Sequence, residues 1–152
     1  MFDLEQELLR LRDALHEALI EYALCGGLAM GVHGFPRATV DIDLLIRPED
    51  YPRVERVAAE LGFSFKSNPM TFSDGAMEIR RISKIDPADG EVLMLGLLLV
   101  TTASEDAWRM RETHAWHGRP LSVVSRNGLI ALKRFRSSKL DLADIEHLES
   151  GA

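Results

Sequence analysis

Two aspartates at alternate positions of an otherwise apolar run, Val40-Asp41-Ile42-Asp43-Leu44-Leu45-Ile46, constrain this chain more than any other feature. The β-branched and aliphatic residues around them read as a strand over Thr39–Ile46. Residues i and i+2 of a strand share a face. Asp41 and Asp43 therefore project together, with Cα atoms roughly 6.5–7 Å apart. Two carboxylates so placed repel unless a cation lies between them, and Mg²⁺ is the usual partner where phosphates are handled. About fifteen residues upstream, the short apolar segment Tyr22–Cys25 runs into Gly26-Gly27 and then a stretch of small residues. Glycines there let backbone N–H groups approach a phosphate closely, at the start of a helix whose positive end favours anions. A glycine turn for phosphate and a carboxylate pair for metal together imply a nucleotide-handling site.

The 152 residues are enough for one domain with a sizeable core. A net charge of −6 argues against bulk attraction to a nucleic-acid polyanion, while Lys133, Arg134, Arg136 and Lys139 are expected to form a local basic patch. The lone cysteine, Cys25, leaves no intramolecular disulfide, and no Cys/His spacing suggests a structural zinc. The charged opening segment Phe2–Leu15 is unlike a signal peptide. The longest apolar run, Val92–Val100, is far shorter than the ~20 residues of a spanning helix. A cytoplasmic protein with no membrane association is expected.

Periodicity predicts a helix capped by Asp3 and running to about Leu19. It also predicts a small-residue helix over Gly26–Phe35 stopped by Pro36, and a helix over Pro48–Leu61 ending at Gly62. Ser67–Gly75 reads as a loop. Strands are expected over Phe63–Lys66, Met77–Ile82 and Glu91–Val100, with a helical turn over Glu105–Arg109 and a hairpin turning at His117-Gly118. Ser125 should cap a helix to about Arg136, and a last helix covers Leu140–Leu148. This order implies an α+β architecture, a mixed sheet with flanking helices.

The combination Gly26-Gly27, then Arg37-x-Thr39-x-Asp41-x-Asp43, resembles the signature of the nucleotidyltransferase superfamily with the DNA polymerase β-like fold. Within it, the chain is most similar to small bacterial proteins related to the AbiEii toxins. The segment Ala131–Leu148 resembles that branch's helical motif, in which a lysine is followed by two aspartates, here Lys133, Asp141 and Asp144. The resemblance implies a single domain over residues 1–152, with helices packed on one face of the sheet and helices 125–149 completing the site. It implies Mg²⁺ on Asp41 and Asp43, and an NTP whose phosphates meet Gly26, Gly27 and Lys133. The transfer would be of NMP to an acceptor hydroxyl on RNA, protein or a small molecule.

By their position in the motif, Arg37 and Thr39 either order the turn after Pro36 or flank the site. Asp141 is either a site residue or a first-turn partner of the last helix dipole, and Asp144, one turn on, has the stronger claim to a catalytic role. The resemblance also implies a third carboxylate on the Val92–Val100 strand, where this chain has Gly96. Glycine in a strand needs a reason: either something packs closely against it, or an aspartate was lost. On the second reading the enzyme is impaired, Gly96→Asp restores activity, and deprotonation falls to solvent, to substrate, or to a nearby carboxylate such as Glu78, Asp86 or Glu91. The alternative is a nucleotidyltransferase-like protein without catalysis, serving as a regulator or as a partner in a toxin–antitoxin pair. His33, His114 and His117 show no ligand spacing, Trp108 and Trp116 are expected to pack, and Ser122 and Ser125 lack a base partner.

Overall fold

The computed structural model describes residues 1–151. Helix α1 (Leu4–Glu17) begins where the Asp3 side chain accepts from the Gln6 N–H, satisfying one of the unpaired donors of the first turn. Its apolar stripe, Leu8, Leu11 and Leu15, is buried. Strand β1 (Ala23–Cys25) passes directly into α2 (Gly26–Val32), and β2 (Asp41–Ile46) follows. Next come α3 (Tyr51–Glu60), β3 (Phe65–Lys66), β4 (Met70–Phe72), β5 (Met77–Ile85) and β6 (Val92–Leu99). The chain ends in α4 (Glu105–Arg109), the hairpin β7 (Glu112–Trp116) and β8 (Arg119–Val123), α5 (Arg126–Arg136) and α6 (Lys139–Ser150).

All strands join one mixed sheet in the order β3-β5-β6-β2-β1-β8-β7, with β4 also paired to β5. The β2–β6 and β1–β8 pairs are parallel, and the others are antiparallel. Three expectations shift. The expected loop over Ser67–Gly75 contains β4, because Met70 and Phe72 can pack against the core from the sheet edge. Helix α2 stops at Val32, three residues short, where the Phe35 N–H turns back to the Met30 carbonyl. Helices also cover both faces rather than one. Ile42, Leu44 and Ile46 on one side of β2 are as buried as Leu45 on the other, and a central strand apolar on both sides needs cover on both. Helices α1 and α3 cover the Ile42 side, and α5 packs across β5 on the Asp43 side with α6 against it. No helix among the described residues is long and apolar enough to cross a membrane.

One polar anchor ties α1 to the sheet. Lys84 of β5 sits 2.5 Å from Glu7 of α1, donates to the Leu61 carbonyl, and lies over the rings of Phe2 and Phe63. Both side chains are largely buried, so removing one partner strands the other's charge. Glu7→Leu is expected to cost about 3–5 kcal/mol, and most of this should return in the double variant Glu7→Leu/Lys84→Met. Urea denaturation of the two variants and the parent checks it, and equal losses in single and double variants would contradict it.

Candidate active site

Register brings the sequence motifs together. Asp43 pairs across β2 with Cys25, the last residue of β1, and on its other side with Gly96 of β6. Gly26 follows Cys25 with φ +69°, a conformation that side chains resist. A Cβ at Gly26 would overlap one oxygen of the Asp43 carboxylate, and a Cβ at Gly96 would overlap the other. The Asp43 carboxylate thus lies in a slot walled by two glycines, one opening α2 just after β1 and one within β6. This settles why β6 carries glycine: a side chain packs against it. An aspartate at Gly96 would have to share that space with the Asp43 carboxylate, which counts against its restoring activity.

Gly27 has a parallel role. A Cβ there would come within 2.7 Å of the Thr39 hydroxyl and 3.2 Å of Arg37 Nη1, so both residues border the glycine turn. Because α2 has only seven residues, its aligned dipoles are few. Most of the positive charge beside the aspartates comes from side chains instead.

The C-terminal helices supply that charge in fixed positions. Lys133 is only 5% exposed and donates to Asp144 at 2.9 Å. Asp144, itself buried, also takes a two-pronged bond from Arg37 at 3.0 and 2.8 Å. Burial opposes its charge, but Arg37 and Lys133 outweigh it and lower its pKa. Asp144 therefore stands behind Lys133 and Arg37, facing a neighbouring hollow with Met30, Phe35 and Leu140. Asp141 accepts two bonds from Arg136 and closes a reciprocal cap with Ser138 at the start of α6. Against the penalty of burial, these bonds hold its pKa near 2. Of the expected basic patch, Lys133 and Arg136 are turned to the site, whereas Arg134 pairs with Glu149.

The resulting groove, of about 290 Å³, is lined by Gly26, Gly27, Thr39 and the two aspartates, with Arg37, Arg81, Lys133 and Arg136 around them. Arg81 was not foreseen. It pairs with Gly96 on the side away from Asp43, so it shares the aspartates' face of the sheet. The alternation Met77, Ile79, Arg81 on one face of β5 is the signal that could have revealed it. The candidate bases are elsewhere. Glu78 registers with Leu99 and so faces the α1 side, Asp86 binds the N-terminal ammonium, and Glu91 accepts from the Phe2 N–H.

Asp43 is electrostatically strained. Burial, then the charge of Asp41, push its pKa up to about 6, against the pull of Arg136, Arg81 and Lys133. A divalent cation between the two carboxylates would relieve that strain, and two hard carboxylate donors suit Mg²⁺.

Solved structures share this architecture. A nucleotidyltransferase from Thermotoga maritima matches over 99% of this chain and 92% of its own, with a TM-score of 0.57 and 20% identity. The lincosamide antibiotic adenylyltransferase LnuA, with lincomycin bound, matches over 97% and 98% with a TM-score of 0.59 and 16% identity. The antibiotic-resistance factor ANT(2'')-Ia matches over 97% and 84% with a TM-score of 0.66 and 15% identity. The fold is that of the nucleotidyltransferases. No protein-family model and no curated protein sequence matches the chain.

Two outcomes follow from the slot. Gly96→Ala should displace the Asp43 carboxylate and weaken Mn²⁺ binding at least about tenfold, by analogy with misoriented metal ligands; calorimetry showing unchanged affinity would refute the slot. The raised pKa also sets a pH signature. Between about pH 4 and pH 6 the folded chain keeps an Asp43 proton that the unfolded chain releases, so stability falls as pH rises through that window. Asp43→Asn should therefore raise Tm in chelator-treated protein at pH 8 and give little gain at pH 4. Equal shifts at both pH values would contradict it.

Proposed function

We propose that this chain is an Mg²⁺-dependent nucleotidyltransferase acting on an NTP. The observation that carries the reading is the Asp41/Asp43 pair opening onto a groove ringed by Arg37, Arg81, Lys133 and Arg136. Asp41 and Asp43 would hold Mg²⁺, whose chemistry there is to neutralise and orient phosphate oxygens. The glycine turn lets the chain approach the phosphates closely, and Lys133 and Arg136 offset their charge as it shifts towards the leaving group. Asp144 acts through others, as a positioning residue that keeps Lys133 and Arg37 extended towards the groove.

In the reaction, the acceptor hydroxyl oxygen bonds to the α-phosphorus and the bond from that phosphorus to the α–β bridging oxygen breaks. Pyrophosphate leaves, and the hydroxyl proton passes to solvent. Two structural neighbours hold antibiotics or their adenylyl products, LnuA with lincomycin and ANT(2'')-Ia with an adenylyl-tobramycin, which favours a small-molecule acceptor. The net charge of −6 gives RNA little general attraction.

Arg81 favours a second reading. It places a guanidinium on the aspartates' face, beside the Gly96 position where the resemblance implied a carboxylate, and this suits binding of Mg-NTP with little turnover, as in a regulator. Labelled NTP incubated with cell RNA, protein and small-molecule fractions separates the two. A labelled small-molecule product supports transfer, and tight binding without product supports the regulator. Lys133→Ala should weaken triphosphate binding more than monophosphate binding, and Asp41→Ala/Asp43→Ala should abolish Mn²⁺-dependent NTP binding. Undiminished metal-dependent binding by the double variant would overturn both readings.

A further inference from the structure

We propose that His33, Glu112 and His114 form a divalent-metal site, suited to Zn²⁺ rather than Mg²⁺, that clips the far end of α2 to the edge strand β7. One donor atom from each of the three side chains lies within 4.8 Å of the other two. Sequence spacing hid this arrangement, because His33 closes α2 while the other two ligands lie some eighty residues later on β7.

Glu112 and His114 alternate along the strand and so share a face. His114 Nε2 lies 3.0 Å from a Glu112 carboxylate oxygen. Ligands on a tetrahedral zinc, with bonds of about 2.0–2.1 Å, sit about 3.3 Å from each other, so this pair is already nearly at ligand spacing. The His33 ring meets the His114 ring edge-on, with centroids 5.6 Å apart. His33 Nε2 lies 2.8 Å from the Val124 carbonyl. A carbonyl can only accept, so Nε2 carries the proton and Nδ1 keeps its lone pair for a metal. An imidazole fixed by such a bond through its other nitrogen is the usual state of a metal-ligating histidine. Two imidazoles and one carboxylate form a borderline-soft donor set that selects Zn²⁺ over Mg²⁺. Glu112 and His114 are partly exposed, which leaves solvent to complete the coordination.

The clip has a structural consequence. Helix α2 is short, and its first residues form the glycine turn of the groove. Metal at its last turn would fix its distal end to the edge of the sheet.

Zinc titration of chelator-stripped full-length protein, in excess Mg²⁺, tests the site. One Zn²⁺ per chain should bind and raise Tm. Glu112→Gln and His114→Gln, each checked for folding by circular dichroism, should weaken binding at least about tenfold. His117→Gln, which alters the separate pair of His117 with Glu5 at 3.3 Å, should leave affinity unchanged. Absence of zinc uptake, uptake indifferent to Glu112→Gln and His114→Gln, or loss of uptake on His117→Gln would overturn the proposal.

Discussion

The carboxylate of Asp43, held between two glycines, is the constraint on which the site depends. It lies where three neighbouring strands meet: β1 ends beside it, β2 carries it, and β6 makes room for it. Each glycine is there for what its neighbour needs. The positive φ of Gly26 turns the chain out of β1 into α2 and opens the space for one carboxylate oxygen. Gly96 gives up the packing that a strand interior ordinarily supplies and opens the space for the other. The cost is electrostatic, because the slot withdraws a carboxylate from water beside a second one. The arrangement is a built-in demand for positive charge.

Part of that demand is met from behind, by α5 and α6. Two buried aspartates face two cations from the same pair of helices: Asp144 with Lys133, and Asp141 with Arg136. Asp144 borders a separate hollow, whereas Asp141 borders a small cavity with Asp43, Lys133 and Arg136. Their effect is to hold long, flexible basic side chains in single orientations, so that less rotamer freedom remains to be lost when an anion arrives. A chain with net negative charge thereby presents a locally positive groove.

Much of this was legible in the sequence because it rests on short-range rules. Alternation put Asp41 and Asp43 on one face, the capping residues Asp3 and Ser125 marked helix starts, and the hairpin at His117-Gly118 announced itself by its turn. What was not legible depends on register between distant strands. No local pattern says that Gly96 stands opposite Asp43, or that Arg81 stands one strand further on. The same holds for the two-sided covering of the sheet, which follows from β2 lying at its centre. It holds too for β4, whose pairing relies on a strand that comes later in the chain.

Arg81 bears on what the groove can do in a way that charge alone conceals. A second divalent ion together with one more carboxylate would add a single net positive charge beside Asp43. A guanidinium adds the same, without the cost of burying another anion. For holding a triphosphate the two solutions are nearly equivalent, since both offset charge that is already present before reaction. They differ at the acceptor. A metal can lower the pKa of a coordinated hydroxyl, whereas a guanidinium can only donate hydrogen bonds and remains protonated throughout. If the groove takes Mg-NTP as proposed, Arg81 would strengthen binding shared by ground and transition states and leave the nucleophile unactivated, and it is interactions confined to the transition state that raise kcat.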